Sequence, residues 1–144
     1  MSATTRWRDN QADGIESVCE KMLSNIIDDE RTNSIYWKNI SCIKVFDDIQ
    51  TTTINGVCIR YTALHYRYDQ ISAQNDPKDD RSILKNGLII IYQQGDAVFY
   101  IVDQNSSAKK LLRKILAYTG KNEIDKNCFD FPDDFFIWLV NQVY

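Results

Sequence analysis

Few side chains in this chain have both the type and the spacing to do chemistry, and His65 comes first because it is the only histidine. A nucleophile–histidine pair would need it as the base, yet no Gly-x-Ser-x-Gly elbow presents a serine. The cysteines Cys19, Cys42, Cys58 and Cys128 lack the close spacing of a zinc knuckle or a redox pair. They are expected to be buried thiols acting as small hydrophobes.

Carboxylates offer a second chemistry. Metal-dependent nucleases gather acids around a hydrated cation, frequently with a lysine nearby. Here the sole Asp-x-Lys is Asp76-Pro77-Lys78, in a charged stretch without apolar period. Asp47 and Asp103 are both expected at strand ends, so a scattered two-carboxylate site is geometrically conceivable. The acids Asp76, Asp79 and Asp80 lack the alternating ligands and glycine of a calcium loop. Five isolated glycines, none before Lys-Ser or Lys-Thr, exclude phosphate-cradling and dinucleotide motifs. No cofactor and no metal is expected.

The third chemistry is charge recognition. Lys109, Lys110, Arg113 and Lys114 fill one arc of a helix opposite Ala108, Leu111, Leu112, Ile115 and Thr119. Such a patch can meet phosphates, with Tyr100 or Tyr118 near enough to stack on bases. Amphipathic helices also carry lysine on the wet face as a matter of course. Residues 122–144 hold five acids against Lys126, which can neutralise the patch within the fold. A smaller polar set, His65, Arg67 and Asp69, shares one strand face with Tyr61.

The elements that must position these groups follow from periodicity. Residues 1–9 read as a loose arm. Ile15, Val18, Cys19, Met22, Leu23, Ile26 and Ile27 form the stripe of an amphipathic helix over about 11–30. Tyr36–Ile49 and Val57–Ile71 read as antiparallel strands joined through Asn55-Gly56. Residues 72–86 are expected to be an exposed loop. Leu88–Tyr92 and Ala97–Val102 flank Gln93–Asp96, a hairpin turn in which Gly95 supplies the positive φ. Ser106 or Ser107 is expected to cap the basic helix and Gly120 to end it. Ile90, Phe99, Ile101, Leu112 and Ile115 are expected to be buried together. The sum is a single α+β domain: a four-stranded antiparallel sheet with an N-terminal helix and two C-terminal helices mainly on one face.

The chain of 144 residues carries 17 basic and 20 acidic side chains, a net charge of −3. Its halves are alike, with 8 basic and 10 acidic residues in 1–72 and 9 and 10 in 73–144. That balance disfavours a whole-protein footprint for nucleic acid. No apolar run approaches the ~20 residues that cross a bilayer, and the amino terminus lacks the apolar core of a secretory signal, so a cytoplasmic location is expected. The terminal run FFIWLVNQVY is apolar nearly all round. One face cannot bury it, so Phe136, Trp138 and Val143 are expected to meet another protein or a second copy of the chain. These features favour a non-enzymatic protein-interaction domain of accessory, inhibitor, immunity or recognition type. A nucleic-acid module built on the basic helix and a metal-dependent hydrolase using scattered carboxylates are the alternatives.

Overall fold

The computed structural model describes residues 4–24, 27–32, 35–54, 56–72, 83–103, 108–120 and 122–129. Along the chain run β1 (Thr4–Asp9), α1 (Ile15–Ser24), β2 (Ile27–Thr32), β3 (Ile35–Lys44) and β4 (Gln50–Ile54). They are followed by β5 (Val57–Ser72), β6 (Ile83–Gln94), β7 (Ala97–Val102), α2 (Ala108–Ile115) and β8 (Ile124–Phe129). All eight strands join one antiparallel sheet in the order β2-β3-β5-β6-β7-β1-β8, with β4 also on β5.

The four-stranded sheet with three helices expected from the sequence is therefore wrong. Half of the sheet was hidden in segments that lack apolar alternation. Thr4–Asp9, read as a loose arm, is an interior strand held between β7 and β8. The helix over 11–30 stops at Ser24, and its acid-rich end pairs with β3 as β2. The polar link after α2 contains β8. Of Tyr36–Ile49 only the part up to Lys44 is strand, in β3, and β4 arises in the stretch expected to join the two strands; β3 and β4 lie along different stretches of the long β5. The expected third helix lies outside the described residues, as do residues 73–82 of the expected loop; Ile83–Asn86 of that loop belong to β6.

Local chemistry explains the joints. Gly95 sits at φ 60° at the first central position of the β6–β7 turn, where a two-residue hairpin favours glycine. Between Lys38 and Ser41 the β3–β5 register shifts, and Asn39 takes φ 56° there. Asparagine tolerates the left-handed region, and this one donates from Nδ2 to Asp69 Oδ2 at 2.9 Å. Helix α2 ends on Ala117 rather than on Gly120. Ala117 N donates to Lys114 O at 3.1 Å and Tyr118 N to Arg113 O at 2.9 Å, the paired bonds of a Schellman cap, with Ala117 at φ 59°.

The near-continuous apolar runs of β6 and β7 are buried on both faces, but alternation sends neighbours to opposite sides. On the first face Leu64, Tyr66, Ile89, Ile91, Val98 and Tyr100 pack with Ile15, Val18 and Met22 of α1 and Leu111, Leu112 and Ile115 of α2. On the second face Tyr61, Ala63, Leu88, Ile90, Tyr92, Phe99 and Ile101 form a separate cluster with Val45 and Phe46. Ile90, Phe99 and Ile101 are thus buried apart from Leu112 and Ile115, because the sheet lies between the two sets. Arg6 of β1 crosses the second cluster, its guanidinium 3.9 Å above the Phe99 ring and donating to Tyr92 Oη at 2.6 Å. No helix among the described residues is long and apolar enough to cross a membrane.

Candidate functional site

The polar strand face expected around His65 exists and opens on a groove. Register places Ile43 of β3, His65 of β5 and Leu88 of β6 in one row, and Ser41, Arg67 and Asn86 in the next. Beyond them Asp69 stands opposite Leu84. All of these lie on the second face, where burial fades from Tyr61 and Ala63 to exposed His65 and Arg67. The result is a groove of about 460 Å³ lined by Ile43, His65, Arg67, Leu84, Asn86, Leu88 and Asp103, with Tyr66 and Gly87. Tyr61, on the same strand face, does not line the groove but belongs to the buried cluster.

The groove's rim is built by one aspartate at the place where β7 ends. The β6–β7 ladder runs to the pair Ile89–Val102. Asp103 then continues it with its own side chain: its backbone N donates to Leu88 O at 3.3 Å, and Leu88 N donates to Asp103 Oδ2 at 3.0 Å. Asp103 Oδ1 accepts the Tyr66 hydroxyl at 2.9 Å. Gly87 makes room for this arrangement, since a Cβ there would lie 2.4 Å from Asp103 Oδ1 and 2.5 Å from Tyr66 Oη. A glycine inside a strand commonly marks such an approach, so Gly87 was the sequence signal for the site that composition alone passed over. Leu84 and Asn86 carried no signal, because they follow a charged stretch that reads as loop.

Among the described residues, His65 and Arg67 have neither a hydrogen-bond nor an ion-pair partner. Asp69, the carboxylate nearest along the strand, accepts from Asn39 instead. Two large apolar side chains flank the His65 and Arg67 pair, Ile43 at 65% exposure and Leu84 at 50%. A guanidinium and an imidazole set between exposed apolar groups suit a carboxylate that arrives with apolar neighbours.

The other sequence candidates are dispersed. Asp47 lines a separate cavity of about 500 Å³ beside α1 with Glu16, Glu20, Asp48 and Lys44, so it shares no site with Asp103. Glu16 in that cavity is paired with Arg60, whose guanidinium holds the carboxyl below its usual range. Among the described residues no group of three metal-ligating side chains is placed to hold an ion. On α2, Lys110 is exposed while Lys109, Arg113 and Lys114 are half-buried. The Arg113 guanidinium donates to Gly120 O. Phe136, Trp138 and Val143 lie outside the described residues.

The cysteines divide. Burial pushes the Cys19 thiol up to about 11 and the Cys42 thiol up to about 12, which makes both poor nucleophiles. Cys58, expected to be buried, is exposed on β5. One acid that the sequence reading ignored is fully engaged: Asp9, at the end of β1, is buried and accepts four bonds. They come from Tyr100 Oη at 2.5 Å, Tyr118 Oη at 2.7 Å, and Gln11 N and Ala12 N at 2.9 Å each.

Comparison of the chain with protein-family models, with curated proteins and with solved structures gives no match to any of them.

Proposed function

We propose that this chain is a protein-interaction domain whose recognition surface is the groove on the second sheet face, centred on Arg67 and His65. One observation carries the reading. Ile43 and Leu84, at 65% and 50% exposure, flank the Arg67 guanidinium and the His65 imidazole, neither of which has a partner among the described residues. A guanidinium without a partner among the described residues, set beside exposed apolar groups, suits an interface centre, where arginine is enriched among the residues that carry binding energy and its neighbours exclude water. The reading needs no catalytic group. The acids best placed for chemistry, Asp9 and Asp103, are occupied with tyrosine hydroxyls and backbone amides. Nucleic acid is the weaker alternative because Arg113 is turned to Gly120 O.

The experiment is retention from native lysate on immobilised wild-type chain, compared with Arg67→Glu/Leu84→Asp. Both residues are surface groups, so circular dichroism and the unfolding midpoint should be unchanged. The expected result is a protein retained by wild type and lost by the double variant, while Lys109→Glu/Lys110→Glu retains it. Retention by the first variant and loss by the second would move the interface to α2 and end this reading.

A further inference from the structure

Among the described residues the sheet has an unfinished edge beside the groove. Strand β6 pairs with β5 from Gln94 down to Ile83, whereas its pairing with β7 stops at Ile89. Among the described residues no strand continues along the β7 side of Ile83–Gly87. The direction of the backbone groups there is settled by Leu88. Its N–H and C=O both turn toward β7, where Asp103 takes one and supplies the other. Strand periodicity of two then aims the N–H and C=O of Asn86 and Leu84 at the same open side. Among the described residues, three of the four exposed large apolar side chains stand at this end of the sheet: Ile43 at 65%, Ile83 at 61% and Leu84 at 50%.

We infer that the overhang Ile83–Gly87 accepts an extended, acidic and apolar segment of a partner protein as an added antiparallel strand. The inference rests on the interaction reading above and names its mode and its partner's chemistry. An added strand would bond the backbone of Leu84 and Asn86, which supplies affinity independent of sequence. Its side chains on the second face would lie beside Leu84 and the groove, within reach of Arg67 and His65. Those on the first face would lie beside Lys85, whose side chain is exposed.

Charge selects the occupant. Two copies of this chain pairing edge to edge about the middle of the overhang would set Lys85 against Lys85, and like charges across a ladder are unfavourable. Lysine on an exposed edge is a common way for a sheet to refuse itself. A different segment bearing carboxylates answers Lys85, Arg67 and His65 together. Asp103 fixes where the added strand must stop, because it already holds Leu88 N.

The test follows backbone amides of the ¹⁵N-labelled full chain while a peptide of alternating glutamate and valine is titrated in. A fully N-methylated copy of that peptide and a lysine–valine peptide serve as comparisons. The expected result is that the Leu84 and Asn86 amides shift and gain at least tenfold protection from hydrogen exchange. The N-methylated and lysine peptides should bind at least tenfold more weakly, and Arg67→Glu should weaken the glutamate peptide. Binding that tolerates methylation and moves Arg67 and His65 signals without protecting those two amides would overturn strand addition and leave the interaction reading standing. No saturation by the glutamate peptide, or equal binding of the lysine peptide, also overturns it. So does concentration-dependent protection of Leu84 and Asn86 in the free chain, which would make a second copy the occupant.

Discussion

Gly87→Ala is the sharpest probe of how the groove's rim is built. The added methyl would stand 2.4 Å and 2.6 Å from the two Asp103 carboxylate oxygens and 2.5 Å from Tyr66 Oη. The Tyr66 ring is buried and stacked on Tyr68 at 6.1 Å, so Asp103, which is exposed, must move. That breaks the Tyr66 Oη–Asp103 and Leu88 N–Asp103 bonds. Bonds to a charged acceptor contribute roughly 1.5–3 kcal/mol each, and water replaces part of that at an exposed carboxylate, leaving about 1 kcal/mol per bond. Alanine recovers about 0.5–1 kcal/mol over glycine in a strand. The net expectation is a loss of about 1–1.5 kcal/mol in urea denaturation. In a Tyr66→Phe/Asp103→Ala background both obstacles are gone, and the same substitution should instead stabilise by about 0.5–1 kcal/mol. A neutral or stabilising Gly87→Ala in the wild-type background, or an equal cost in both, would refute the account of Gly87 as the space for Asp103.

Asp9→Ala leaves the buried Tyr100 hydroxyl and two backbone amides without their shared acceptor, so it should cost about 3–5 kcal/mol by urea denaturation, near the loss for breaking a buried charged network. Asp9→Asn should cost less, since its oxygen can keep the Gln11 and Ala12 amides; a loss equal to that of Asp9→Ala would show that the charge rather than the acceptor geometry matters. Ala117→Gly should raise the unfolding free energy by about 0.5–1 kcal/mol, because only glycine takes the left-handed cap without a Cβ penalty; a lower urea midpoint would contradict this. Burial holds the Tyr92 hydroxyl up to about 12, and burial together with Asp9 raises Tyr100 and Tyr118. The folded state therefore keeps protons that the unfolded chain gives up above ~10. The stability these tyrosines contribute is complete below that pH and is lost as pH rises, by up to about 1.4 kcal/mol per unit for each buried phenol. Tyrosinate absorbance should rise together with unfolding in an alkaline titration; ionisation of all eight tyrosines while the fold persists would disprove it.

What the sequence made legible was whatever each segment encodes by itself. The α1 stripe of Ile15, Val18, Cys19 and Met22 identifies its helix without reference to any partner. Gly95 marks its hairpin, and alternation in β5 assigns His65 and Arg67 to one face. The missing strands are those whose identity depends on distant pairing. TTRWRD becomes β1 only because β7 and β8, nearly a hundred or more positions away, offer ladders on both sides. IDDERT looks like the acidic end of the preceding helix until β3 returns beside it. For the site, the face of β5 was readable, but its neighbours were not: register alone sets Ile43, Leu84 and Asn86 beside Arg67.

The same physics joins the two ends of the functional proposal. Asp9 and Asp103 each follow or finish a strand and each take backbone N–H groups together with tyrosine hydroxyls. Both work as caps that satisfy amides left over when a ladder stops. At Asp9 the cap is buried and closes the structure. At Asp103 it is exposed, and the side chain replaces a single residue of strand and goes no further. Had β7 run on past Val102, its backbone would cover Leu84 and Asn86 and the overhang would be ordinary interior sheet. Because a side chain ends the ladder instead, β6 keeps pairing β5 for the length of Ile83–Gly87 with its other side unclaimed among the described residues. The carboxylate considered as half of a two-carboxylate site is, on this geometry, the stop that ends the β6–β7 ladder beside the proposed docking edge.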